Sequence, residues 1–219
     1  MPDTLPPEPP SHYRDGKERL ADLIVHLTGL ALALVGGGML LGLAIGFGDA
    51  GSLTAAAIYA VGLLTMLGLS TAYNFAAPRF QPLLRRFDHA GIFIMIAGSY
   101  TPFTTQHLTG AWAWGMTAAV WSTAIIAALA KLLLPGLGKG FWIVIYLALG
   151  WVMVIAIQPF MQSLGLAPVV LLAVGGLLYS VGVIFYANKQ MRYRRAIWHG
   201  HVVVAAAVHW VAVLLAVLR

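Results

Sequence analysis

The sequence predicts an all-α integral membrane protein: a bundle of seven transmembrane helices, with the N-terminus in the cytoplasm and the C-terminus outside. Three observations predict it. The 219 residues are 60% hydrophobic and only 9% charged, with a mean hydropathy of +0.85. A soluble domain carries roughly a quarter charged residues, because it must cover its surface with groups that water solvates. Seven apolar stretches, each about 20 residues or more, are long enough to cross a hydrocarbon core of about 30 Å as helices. The basic residues segregate to one side of the spans that those stretches define.

The stretches run roughly over 20–46, 53–74, 88–106, 111–133, 140–160, 167–187 and 197–217. Period-2 alternation is absent, so a membrane β-barrel is not supported. The breaks carry turn chemistry: Gly48 to Gly51, Pro78 to Pro82, Pro135-Gly136, Gly138 to Gly140, Pro159 and Pro168. Span one holds Gly38, Gly42 and Gly46 at four-residue spacing, a ladder expected to let a neighbouring helix of the same chain approach closely; a homo-oligomer seam is the alternative. Span three ends in Gly98-Ser99-Tyr100-Thr101-Pro102-Phe103. Pro102 removes a backbone hydrogen bond, which predicts a kink near Gly98, with the adjacent hydroxyls satisfying freed carbonyls.

With seven spans, Arg14, Lys17, Arg19, Arg79, Arg85, Arg86, Lys131, Lys139, Lys189, Arg192, Arg194 and Arg195 all fall on one side, and Arg219 alone on the other. A count of six or eight breaks this segregation. The positive-inside rule makes the basic side cytoplasmic. The formal net charge of +6 is therefore read as a record of orientation, with no nucleic-acid partner. Membrane lipids are the expected partners, with anionic headgroups at Lys189, Arg192 and Arg194; each cation near such a surface is worth about 1 kcal/mol. Residues 1–17, rich in proline and lacking an apolar run, are expected to be a disordered cytoplasmic tail, and residues 18–219 the membrane domain. The absence of cysteine excludes disulfides and thiolate metal sites.

Ionisable groups inside spans are costly and mark candidate sites. Topology gathers Asp22 and His26 from span one, Ser70 and Asn74 from span two, Asp88 from span three, and Arg195 and His199 from span seven into the inner leaflet. Arg195 and His199 are four residues apart and share a helix face, whereas His201 points elsewhere. His209, about 15 Å deeper, is expected to be a hydrogen-bonded packing residue.

Three passages resemble the hemolysin III family of the progestin and adipoQ receptor (PAQR) superfamily, in its bacterial type. They are Glu18-x-x-Ala21-x-x-x-x-His26-x-x-Gly29; Ser70-Thr71-x-Tyr73-Asn74 with Asp88-His89-x-Gly91-Ile92 and Ile96 to Phe103; and Arg195-Ala196-Ile197-Trp198-His199 followed by His209. The resemblance covers the chain from about Glu18. It implies seven helices, a cytoplasmic N-terminus, a bacterial inner (plasma) membrane location and an inner-leaflet zinc. The zinc ligands it implies are a histidine on span two and two on span seven, with the span-three aspartate, here Asp88, holding the zinc-bound water. Adiponectin receptors with that site are regarded as ceramidase-like hydrolases.

The chain departs from that pattern, with Asn74 and Arg195 where two histidines are implied; only His199 remains. Asparagine is a poor zinc ligand, and arginine stays protonated and cannot coordinate. No cofactor is therefore expected at Asn74, Arg195 and His199. The expectation is that Arg195 takes the vacated position and pairs directly with Asp88, with Asn74 and His199 adding hydrogen bonds. Zinc, or a weak ion held by Asp88, His199 and either His89 or His26, is the alternative. The function expected is a non-enzymatic, lipid-binding or membrane-homeostasis member of the family. The alternatives are a zinc-dependent ceramidase-like lipid hydrolase with Asp88 and His199 as catalytic candidates, a cytolysin or channel, and a proton-coupled transporter.

Overall fold

The computed structural model describes residues 12–134 and 136–218. Among them there are helices and no strands. Helix α1 spans Gly16–Phe47, α2 Ala50–Phe75, α3 Gln81–Gln106 and α4 Gly110–Leu133. They are followed by α5 (Lys139–Gly150), α6 (Ile157–Leu164), α7 (Leu166–Ala187) and α8 (Arg194–Val217). Among the described residues six helical segments are long and apolar enough to be candidate membrane spans, with α5 and α6 counted together as Lys139–Leu164. Helix α3 is 26 residues long, as α2 is. It carries Arg85, Arg86, Asp88 and His89 near its start, which lowers its apolar character.

Each start has a local cause. At α1 the Asp15 side chain accepts from Glu18 N at 2.8 Å, and Glu18 in turn accepts from Arg14 N at 3.2 Å. The first bond satisfies a donor that a helix start leaves open, and the second ties the residue before the cap to the first turn. At α2, Asp49 accepts from Ser52 N at 2.7 Å. Helix α8 has no side-chain cap; Tyr193 precedes it with φ 54°, a left-handed conformation unusual for a bulky residue. Its N–H donates to Glu18 at 3.2 Å, so α1 pins the entry to α8.

The molecule exposes large apolar side chains and buries several polar ones within a hydrophobic core. Trp114 is 82% exposed and Ile155 72%, whereas Asp22 and Thr104 are 0% exposed. Contiguous apolar surface on that scale is unaffordable in water and natural against lipid tails. Helix α1 packs on α2 and on α8, α3 lies between α2 and α4, and α7 lies against α8. Short-range contacts collect the basic connections at one end: Arg14 Nη2 donates to the carbonyls of Lys189 (3.2 Å) and Gln190 (2.8 Å). At the same end Lys139 reaches the Tyr186 carbonyl at 3.3 Å and Arg86 the Leu132 carbonyl at 3.3 Å.

Several expectations need correction. Residues 12–15 are not a loose tail: Tyr13 is buried, Arg14 clasps the α7–α8 connection and Asp15 pairs with Arg192 at 3.1 Å. Residues 1–11, Pro135 and Arg219 lie outside the described residues. Gly38, Gly42 and Gly46 are exposed, and a Cβ on each would meet nothing within 4 Å. That ladder therefore does not serve packing within the chain. Close approach occurs instead at Gly36, where Trp210 Nε1 donates to the glycine carbonyl at 2.9 Å.

The fifth span is not one helix. It breaks after Gly150 into a 3-10 turn, Val152–Ala156, before α6. The reason is in α3: Tyr100 Oη donates to the Gly150 carbonyl at 2.8 Å and accepts from Met153 N at 2.9 Å. One hydroxyl thus satisfies both backbone groups that the break exposes, as an apolar setting requires. The hydroxyls near Pro102 were expected to serve carbonyls that proline frees. Thr101 instead bonds Ala97 O at 2.9 Å and Ser99 bonds Ile96 O at 2.7 Å.

Candidate functional site

The inner polar cluster resolves into two adjoining groups. The first joins α1 to α8. His199 Nδ1 lies 2.6 Å from Asp22 Oδ1, and Tyr13 Oη donates to Asp22 Oδ2 at 2.7 Å. His26 Nε2 lies 3.1 Å from His199 Nδ1 and 3.7 Å from Asp22 Oδ2. His26 Nδ1 is 3.1 Å from Thr71 Oγ1, whose own proton goes to Leu67 O at 2.7 Å. Thr71 must then accept from His26, which places the His26 proton on Nδ1 and leaves a lone pair on Nε2. Asp22 and His26 face inward together because they are four residues apart on α1.

The second group joins α2 to α8 and to the segment before α1. Arg195 Nη1 donates to Asn74 Oδ1 at 2.5 Å, and Arg195 Nη2 approaches His12 Nδ1 at 3.2 Å. Asn74 Nδ2 donates back to Ser70 O at 2.9 Å. The guanidinium carbon sits 5.8 Å from the Tyr13 ring and 5.9 Å from the Tyr73 ring. An arginine donates and cannot accept, so His12 accepts at Nδ1 and carries its proton on Nε2. Burial, then the neighbouring Arg195 charge, pushes the His12 pKa down to about 4.

The direct Asp88–Arg195 pair expected from the sequence is not formed. No ion pair joins them among the described residues; the terminal nitrogens of Arg195 are committed to Asn74 and His12. Asp22, nine residues from Tyr13 and fully buried, is the carboxylate that bonds His199. Asp88 is 8% exposed, with the Ser70 hydroxyl beside it. His89 lines the same space, and its carbonyl accepts from Tyr146 Oη at 2.9 Å. His201 bonds Ile197 O at 2.8 Å, away from the cluster. His209 bonds Leu172 O at 3.1 Å as a packing residue.

A long cavity begins at this cluster. His26, Ser70, Asp88 and His199 line its inner end. Met95, Ile96, Leu147, Val183 and Val202 line its middle, and Phe103 and Phe160 its far end. From Asp88 to Phe103 the rise along α3 is about 22 Å. The cavity is thus polar at one end and predominantly apolar along its length.

The family model described as Haemolysin-III related matches residues 17–210. The chain belongs to the haemolysin-III related family, within the PAQR superfamily. A hemolysin-3 homolog of Bacillus subtilis (strain 168) is 34% identical over 202 residues, covering 90% of this chain and 93% of that one. Hemolysin-3 of Bacillus cereus is 32% identical over 203 residues, 92% of this chain and 93% of its own length. The human monocyte to macrophage differentiation factor is 28% identical over 204 residues, 90% and 83% of the two chains. The inner-leaflet zinc implied by the family resemblance does not fit at Asn74, Arg195 and His199. Arg195 bonds Asn74 directly there, and a guanidinium in that place repels a metal ion.

Tyr13 and His12 complete the cluster and carry no sequence signal, and Thr71, quoted only as part of the Ser70-to-Asn74 passage, joins them. Tyr13 precedes the apolar pattern, so no periodicity flags it. Thr71 stands beside Ser70, and only the partner of His26 gives it a role.

Proposed function

We propose that this haemolysin-III family protein is a seven-span protein of the bacterial inner membrane that binds a lipid, without turning it over. The single observation carrying this reading is the amphipathic cavity, about 22 Å long, with Ser70, Asp88 and His199 at one end and apolar side chains beyond. Such a space matches a chain-bearing amphiphile whose polar end sits at the cluster. The seventh span is α3, which is as long as α2 and lies between α2 and α4. The shared basic end then faces the cytoplasm and the C-terminus faces outward. Anionic headgroups are held there by Lys189 and Arg194, while Arg192 is engaged with Asp15.

A photoactivatable fatty amphiphile tests the reading. Its label should fall on cavity residues of α3, α5 or α8, and Val202→Trp, which fills the middle of the cavity, should remove most of it. Labelling confined to the outer, lipid-facing residues would contradict it.

One observation favours a second reading, lipid amide hydrolysis. Asp22 holds His199 Nδ1 at 2.6 Å, leaving Nε2 as the nitrogen able to serve a cavity occupant as a general base. Ceramide hydrolysis by the pure protein, abolished by His199→Ala, would favour this reading over simple binding.

A further inference from the structure

We infer that Asp22, His26 and His199 form a binding site for one divalent transition-metal cation at the seam of α1 and α8. This goes beyond lipid binding: the cation would bind whether or not a lipid fills the cavity. The site is also distinct from the zinc position that the family resemblance implies, sharing only His199 with it.

Geometry is the first support. One ligand atom from each of the three buried residues lies within 4.8 Å of the others. His199 Nδ1 lies 2.6 Å from Asp22 Oδ1 and 3.1 Å from His26 Nε2, and the approach of His26 Nε2 to the Asp22 carboxylate is 3.7 Å, to Oδ2. Bonds of about 2.0–2.1 Å in a tetrahedral site set ligand atoms about 3.3 Å apart. With all three ligand atoms within 4.8 Å of one another, side-chain shifts of at most about 1.5 Å convert the hydrogen-bonded cluster into a ligand set.

Proton placement is the second. Thr71 fixes the His26 proton on Nδ1, so Nε2 presents a lone pair to the cluster. That is the outer partner a metal-bound imidazole ordinarily has. Tyr13 holds Asp22 Oδ2 and leaves Oδ1 for the cation. On His199, the proton now on Nδ1 moves to Nε2 when the cation binds, so neutral imidazole remains neutral imidazole.

Charge is the third. Asp22 and Asp88 are buried carboxylates at this end of the bundle, and the terminal nitrogens of Arg195 go to Asn74 and His12, not to either of them. Buried carboxylates in an apolar medium call for cationic compensation. Two imidazoles and one carboxylate suit zinc, cobalt, nickel or iron(II), and not magnesium or calcium. His26 and His199 also line the cavity, so the fourth coordination position opens onto it.

The test uses the full chain purified in detergent and stripped of metal, then titrated with cobalt(II) and, separately, zinc(II). Expected is visible d–d absorption of tetrahedral intensity that saturates at one cobalt per chain and is bleached by zinc. His26→Ala should lower retained metal at least tenfold, and Asn74→Ala should leave the spectrum in place. Thr71→Ala removes no ligand and spares the fold, so it guards against misfolded variants; it should weaken affinity about tenfold or more. Two results would overturn the site: wild-type protein with no cobalt absorption and less than about one-tenth equivalent of zinc, or full metal retention by a folded His26→Ala protein.

Discussion

Asp22 is the residue on which the α1–α8 seam turns, and its replacement gives a graded prediction. Its carboxylate is 0% exposed and accepts from His199 at 2.6 Å and from Tyr13 at 2.7 Å. Hydrogen bonds to a charged group contribute about 1.5–3 kcal/mol each. Asp22→Asn keeps one oxygen acceptor, and both partners can adjust: the tyrosine hydroxyl rotates and the histidine moves its proton to Nε2. The change also relieves the desolvation of a buried charge. The net loss should be about 2–3 kcal/mol, or roughly 5–10 °C in Tm for a chain of this size. Asp22→Ala removes the shared carboxylate from both donors, leaving His199 Nδ1 the 3.1 Å contact with His26, and should cost about 3–5 kcal/mol. Thermal unfolding in detergent, followed by tryptophan fluorescence, reads the series. The reasoning fails if Asp22→Ala is no worse than Asp22→Asn, or if both stay within about 1 kcal/mol of the wild type.

Three further outcomes are expected. Tyr100→Phe strips the Gly150 carbonyl and the Met153 N–H of their shared partner, and should cost about 2–3 kcal/mol; an unchanged Tm would show that the break has another support. A Cβ on Gly175 would sit 2.1 Å from the His209 ring, so Gly175→Ala should cost about 1–3 kcal/mol, and His209→Ala should recover part of the loss if the clash is direct. His12 has its pKa lowered from 6.5 to about 4, so the unfolded chain takes up that proton first. Stability should therefore fall as pH drops from 6.5 toward 4 and level off below, and His12→Gln should flatten the fall in a pH series of unfolding midpoints.

The membrane character and the helical segments were legible because they rest on length and hydropathy, which act residue by residue. The break in the fifth span was not. Gly150 and Trp151 give only a weak local signal, and the break is stabilised by Tyr100, fifty residues earlier. The Gly38, Gly42 and Gly46 ladder was legible as a pattern, but a pattern does not say which face meets another helix, and those glycines lie on the outer one. At the candidate site, depth in the spans brought Asp22, His26, Ser70, Asn74, Asp88, Arg195 and His199 to one level. It did not pair them. Arg195 and Asp88 were matched on charge, yet Arg195 reaches Asn74 and His12, and Asp22 takes His199. Partner choice depends on side-chain direction and on the anchored segment 12–15, whose hold comes from contacts to Lys189, Gln190 and Arg192, distant in the chain.

Native mass spectrometry of the full chain released from its own membrane tests the central claim most directly, that the cavity beyond Asp88 and His199 holds a lipid. The account predicts one tightly retained lipid per chain, largely lost in Val202→Trp while the protein stays folded. A folded wild-type chain released without lipid, or retention unchanged in Val202→Trp, would contradict it.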